Sequence, residues 1–182
     1  MLFKREYWIA CTWGLAEATL FFFIPDVFLS WVALERPRRA FVACGFALVG
    51  ALLGGVLMFA WGGADTESAR AALDAVPGIH PDMIAAVRAD LAEHGLVAFF
   101  NGPPRGVPYK IYAAEWGAFG GGVGGFLLVS VPARFLRFFL IAAMASLVRR
   151  YVLGRLSLRA CRTAHVVFWL AFYVWYFYTM RD

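Results

Sequence analysis

Apolar residues gather along the chain in five runs of unequal quality. Residues 7–34 form a long run that carries Glu17 and the Pro25-Asp26 pair inside it. Residues 40–63 are free of charge, and as a helix they would extend about 36 Å, enough to cross a bilayer. Residues 96–131 are apolar but broken by Asn101, Pro103, Pro104, Arg105, Pro108 and Lys110. Residues 133–148 make a shorter span that opens on Arg134 and Arg137, and residues 163–180 are strongly aromatic, with Trp169 and Trp175 suited to a lipid interface. Only residues 64–94 read as soluble, with six acids and two arginines. Pro77-Gly78 and Pro81 punctuate that segment, and Asp82 is expected to open a helix over 83–93.

The pattern predicts an all-α polytopic membrane protein with two inverted re-entrant helical hairpins and about three transmembrane helices. Arginine and lysine decide the topology. Lys4 and Arg5 precede the first run, and Arg36, Arg38 and Arg39 follow it. Both clusters stay in the cytoplasm if the run dips into the membrane and returns. Residues 40–63 then cross outward, the third run dips in from the other side, and 133–148 cross back toward Arg149, Arg150, Arg155, Arg159 and Arg162. A broken segment leading into a span, repeated in opposite orientation, is the pattern of inverted-repeat transporters. The N-terminus is expected to be cytoplasmic, and the basic start to be a retained segment, because Glu17 interrupts the run and no small-x-small site follows it.

Composition removes the soluble alternatives. In 182 residues, 62% are apolar and 16% charged, and the mean hydropathy is +0.68. A soluble domain of this size cannot hide so much apolar surface. The chain is short enough for a single membrane domain over 1–182. The net charge of +5 would suggest nucleic acid in a soluble chain; beside apolar spans it sets orientation instead, and no nucleic-acid partner is expected. Cys11, Cys44 and Cys161 are scattered, without the spacing of a disulfide framework or a zinc site.

Several residues could carry chemistry. Glu17 and Asp26 lie in an apolar run, where an ionisable group costs about 2.5–3.5 kcal/mol and by default faces a cavity or a partner. They are proton or gating candidates, or else a structural pair in which Asp26 caps a short helix and Glu17 meets an arginine. The prolines and glycines around 102–108 prevent a continuous helix and leave backbone groups beside Arg105 and Lys110. A phosphate is the natural complement of such a place, or the segment is a surface loop touching lipid head groups. Arg134 and Arg137 share a helix face and join the anion-binding candidates; they pair with Glu17, Asp26 or Glu115, or snorkel to an interface. Gly117, Gly121 and Gly125 suggest close helix packing. His80, His94 and His165 are scattered, so no metal site, cofactor or enzyme is expected. A non-transporting scaffold and an intramembrane enzyme are the competing functions.

With these residues in hand, the chain resembles the DedA family, also called the VTT or SNARE-associated Golgi protein domain, over about residues 7–148, with 163–180 as an added C-terminal transmembrane helix. In that family the first re-entrant segment carries a Glu and then a Pro-(Gly)-acid element, matched by Glu17 and Ile24-Pro25-Asp26 with shorter spacing and no glycine. The second carries Phe-x-Gly-Arg-x-x-Pro-x-x-Arg. Aligned on Pro108, Arg105 takes the first arginine, Pro104 replaces the glycine, and the second arginine falls on Ile111 with Lys110 next door. Arg134-Phe135-Leu136-Arg137-Phe138 is similar to the family's Arg-x-x-Arg-aromatic opening of the next helix. The resemblance implies a multi-pass protein of the bacterial inner (plasma) membrane that translocates lipids, such as undecaprenyl phosphate or a phospholipid, with proton coupling and homo-oligomers as further expectations.

Overall fold

The computed structural model describes residues 5–102 and 105–179; Lys4, Pro103, Pro104 and Met180 lie outside the described residues. Their regular structure is helical. The first apolar run folds as α1 (Arg5–Ala18) and α2 (Asp26–Glu35), and the charge-free run as α3 (Pro37–Ala64). The acidic segment gives α4 (Thr66–Asp74) and α5 (Pro81–His94). A 3-10 turn (Gly95–Val97) leads to the short α6 (Ala98–Asn101), and α7 (Tyr109–Ala118), α8 (Val123–Leu147) and α9 (Leu158–Thr179) follow.

The break between α1 and α2 has local causes. The Thr19 hydroxyl donates back to the Leu15 and Ala16 carbonyls, a bond that competes with helix continuation. The Phe21 amide reaches back to Ala16 O at 2.9 Å. Pro25 then stands at the N-cap of α2, where a missing N–H costs nothing. Trp13 closes the turn by donating its indole N–H to Phe23 O at 2.8 Å.

Ion pairs show where the broken segment ends. Glu6, at the start of α1, meets Arg39 at the start of α3 (2.9 Å) and Arg36 after α2 (3.8 Å). The α1–α2 segment therefore returns to the end of α3 from which it began. Arg162, near the start of α9, joins this end through Glu35 at 2.6 Å. The second broken segment keeps to the opposite end, where Glu115 of α7 grips Arg70 of α4 with two bonds of 2.7 Å.

Packing repeats the same plan. α1 lies on α3 and α6 on α8, whereas α2 lies on α8 and also on α3, and α7 on α3. Each returning helix thus covers the long helix of the other half. Helix approach is closest where glycine removes a side chain. A methyl group on Gly50 or Gly54 would run into the α1 backbone at Cys11 and Leu15, and one on Gly62 would run into Ala114 of α7. The glycine run expected to pack, Gly117-x-x-x-Gly121-x-x-x-Gly125, does so only in part. Gly117 abuts Phe59 of α3, Gly121 faces its neighbour Trp116, and Gly125 faces Leu96.

Three details differ from the sequence expectation. α8 runs unbroken through Pro132, where a boundary between runs was expected. Helix α5 begins at Pro81, with His80 at its N-cap and Asp82 in the first turn. Two helices are long and apolar enough to cross a membrane, Pro37–Ala64 and Val123–Val152. α9 is not one of them: its 22 residues would reach about 33 Å, but Arg159, Arg162 and His165, with the tyrosines and tryptophans, lower its apolarity. The outward faces of the long helices are nonetheless apolar, with Leu53 and Leu57 on α3 and Leu128, Leu136 and Met144 on α8 exposed. Such continuous apolar surface suits lipid rather than water.

Candidate functional site

Two long-range carboxylate–arginine pairs join the first broken segment to α8. Glu17, in the last turn of α1, accepts from both Nη atoms of Arg134, and both side chains are almost fully buried. Asp26, the first residue of α2, accepts from Arg137 Nε at 2.9 Å and from its Nη2 at 2.7 Å. One turn of α8 separates the two arginines, so one helix face serves both carboxylates. Arg134 also lies between the rings of Tyr109 and Phe138, each 4.8 Å from its guanidinium carbon, which stabilises a cation away from water. Tyr109 is itself fixed by donating to Ser130 Oγ at 2.9 Å.

Lys110 stands beside these pairs without joining them. It is the second residue of α7 and 3% exposed. Its ammonium donates to Phe21 O at 2.7 Å, a carbonyl left open by the break after α1. Among the described residues it forms no ion pair. The group thus contains three cations, the buried Lys110 and Arg134 and the half-buried Arg137, against two buried carboxylates, Glu17 and Asp26. One positive charge remains uncompensated, an expensive condition in a low dielectric unless an anion supplies the balance.

A cavity of about 330 Å³ opens onto that excess charge. Glu17, Arg105, Lys110 and Arg137 contribute to its wall, together with Val76, Ile79 and Val107. Phe22 and Ile24 of the first break line it as well, and α9 closes one side with Phe172, Tyr173, Trp175 and Tyr176. No family model matches the chain, and neither does any curated protein or solved structure.

The sequence candidates therefore divide. Glu17, Lys110, Arg137 and Arg105 meet at one cavity, while Asp26 and Arg134 stand behind as partners to Arg137 and Glu17. Asp26 does not cap α2 with its side chain. Arg105 sits at the rim with its side chain 66% exposed, and its nearest carboxylate oxygen is on Asp90 at 3.8 Å. Glu115 partners neither Arg134 nor Arg137; it holds Arg70, and this hydrogen-bonded carboxylate keeps the guanidinium above the ordinary arginine value.

Sequence reasoning missed two clusters. Asp90 gathers Asn101 Nδ2 (3.2 Å), the Tyr112 hydroxyl (3.2 Å) and His94 Nδ1 (2.9 Å), joining α5 to α6 and α7. Its i,i+4 spacing to His94 was the available signal. Ser30, His165 and Trp169 form the second, with Ser30 Oγ 2.8 Å from His165 Nε2 and the Trp169 indole donating to Ser30 Oγ at 3.2 Å. It fastens α9 to α2, a pairing 135 residues apart in sequence that no local pattern announces.

Proposed function

We propose that the chain is an integral membrane translocator for a phosphate-bearing lipid head group or small anion. The observation that carries the reading is the uncompensated ammonium of Lys110 at the wall of a cavity shared by both broken segments. Broken helices that meet around a charged site are the usual architecture of substrate sites in inverted-repeat transporters. The return of α1–α2 to its own end, the attachment of α7 to the other end, and the crosswise packing on α3 and α8 all support two opposed re-entrant hairpins. In this reading α9, though less apolar than α3 and α8, is the third crossing, with its exposed aromatic residues at the lipid interface, and the arginine-rich end of α3 faces the cytoplasm. On this reading the DedA or VTT resemblance extends to function, in a bacterial inner membrane, with the N-terminus inside. The carboxylate–arginine pairs hold the broken segments against α8 and exchange partners as substrate passes.

The test is leaflet exchange in reconstituted vesicles of phosphatidylcholine doped with fluorescent phosphatidylglycerol. The parent protein should accelerate exchange of the phosphatidylglycerol over protein-free vesicles, and Lys110→Met should abolish the acceleration while remaining folded. Exchange no faster than in protein-free vesicles, with no phosphate binding to the purified protein, overturns the reading in favour of a non-transporting scaffold.

A further inference from the structure

The cavity has two chemically different walls. One carries the excess positive charge of Lys110, with Arg137 and Arg105 beside it. The other is aromatic: Phe22 from the first break and Phe172, Tyr173, Trp175 and Tyr176 from α9. The rings are held as a unit, because Phe22 lies 5.6 Å from Tyr173 and 5.8 Å from Tyr176, and Phe172 lies 6.3 Å from Tyr176. Tyr173 is fixed further by accepting from the Ile24 amide at 3.2 Å. Phe172, Tyr173, Trp175 and Tyr176 come from the C-terminal helix and so lie outside residues 7–148, the segment that carries the family resemblance.

An aromatic wall next to a phosphate site fits two kinds of head group. A quaternary ammonium would use the ring faces through cation–π attraction. A neutral ring or polyol would lay its apolar face on them and offer hydroxyls to tyrosine. Charge decides between them. The buried group already holds one cation too many, and the rim pair of Arg105 with Asp90 does not alter that balance. The phosphate itself cancels the one excess charge on Lys110, so a further ligand cation would lie beside Arg137 and Arg105, whose carboxylate partners are already engaged, and would meet repulsion there. We propose that the site takes a phosphate ester of an uncharged ring or polyol, with the phosphate on Lys110 and the ring against α9. Tyr176 and its neighbours are then the residues that set head-group specificity. This rests on the anion-site reading above and names its substrate class.

The experiment titrates the full-length protein in phosphatidylcholine nanodiscs with four soluble probes: inorganic phosphate, glucose 1-phosphate, phosphocholine and phosphoethanolamine. Glucose 1-phosphate should bind about ten-fold tighter than inorganic phosphate, as one good ring contact allows. Phosphocholine and phosphoethanolamine should bind no tighter than inorganic phosphate. Tyr176→Ala should bring the ratio of glucose 1-phosphate to inorganic phosphate affinity down from about ten to about one, while Tyr176→Phe should keep most of that ratio. Displacement of bound glucose 1-phosphate by discs doped with phosphatidylinositol assigns the ligand to a lipid; failure to displace it assigns a soluble ester, and both keep the ring phosphate. Phosphocholine binding tighter than glucose 1-phosphate overturns the proposal, as does an advantage that survives Tyr176→Ala. If inorganic phosphate itself does not bind, the anion site has failed; if it binds as well as glucose 1-phosphate, only the ring assignment has.

Discussion

The ammonium of Lys110 is bonded to the carbonyl of Phe21 at 2.7 Å, so the opening of α7 is tied to the break after α1. That bond places a cation of one broken segment on the exposed backbone of the other. It also sets a tight limit on shape, because Lys110 is buried among Glu17, Arg137 and the cavity wall. Lys110→Arg keeps the charge but adds length and a planar fork where the carbonyl is already in contact. The expected result is an overpacked site that costs about 1–3 kcal/mol of stability and binds phosphate less well than the parent. Thermal unfolding in detergent together with phosphate titration checks it. An arginine variant that matches the parent in both would show that only charge matters here.

The Glu17–Arg134 pair is buried on both sides. Glu17→Gln leaves three cations against Asp26 alone and should lower the unfolding temperature strongly, at a cost of about 3–5 kcal/mol for a broken buried pair. Arg134→Met leaves Glu17 with Lys110 and Arg137 nearby and should cost less. The double variant should lose much less than the two losses together. Additive losses in this double-mutant cycle would mean that the two side chains are stabilised independently.

Much of this arrangement was legible in the sequence, and the reasons are local. Glu17, Asp26, Lys110, Arg134 and Arg137 announce themselves because an ionisable group in an apolar run needs a partner or a cavity. The breaks announce themselves through Pro25 and Pro108, which cannot continue a helix from the N-terminal side. Partner identity is different, because it depends on how segments 111 and 117 residues apart in sequence come together. The aromatic run in α9 was equally visible, but rings at a lipid interface and rings lining a cavity have the same composition. Only the position of Tyr173 against Ile24 separates the two meanings. Glycine was legible in part: Gly117 of the run Gly117-x-x-x-Gly121-x-x-x-Gly125 abuts the α3 backbone, but Gly50-x-x-x-Gly54 and Gly62 of α3, which also meet another helix's backbone, lie in an apolar run where spacing alone does not single them out.

Asp90 ties α5 to the second broken segment and is also the carboxylate nearest Arg105. Asp90→Asn keeps the shape but loses charge-assisted bonds, at a cost of about 1.5–3 kcal/mol. It also frees Arg105 and leaves one more uncompensated cation at the cavity rim. Phosphate should then bind more tightly although the protein is less stable, and adding Arg105→Gln should cancel the gain in binding. Weaker binding in the single variant would show that Asp90 serves packing alone.

Gly55 of α3 faces Tyr109, and a methyl group there would approach the ring at 2.8 Å from Cε1 and 2.9 Å from Cζ. The ring cannot swing aside freely, because its hydroxyl donates to Ser130 and its face supports Arg134. Gly55→Ala should therefore destabilise by about 1–3 kcal/mol, the range for overpacking a filled site, and should disturb Arg134 and with it Glu17. Gly45, ten residues earlier on the same helix, has open space where its side chain would grow. Gly45→Ala should instead stabilise by about 0.5–1 kcal/mol, since alanine loses less backbone freedom in a helix. The two variants share a helix and a chemical change, so their opposite signs in a detergent melt isolate the Tyr109 contact. A stabilised Gly55→Ala protein with unaltered phosphate binding would show that Tyr109 moves without consequence, and that the aromatic support beneath Arg134 is not what holds the Glu17 pair in place.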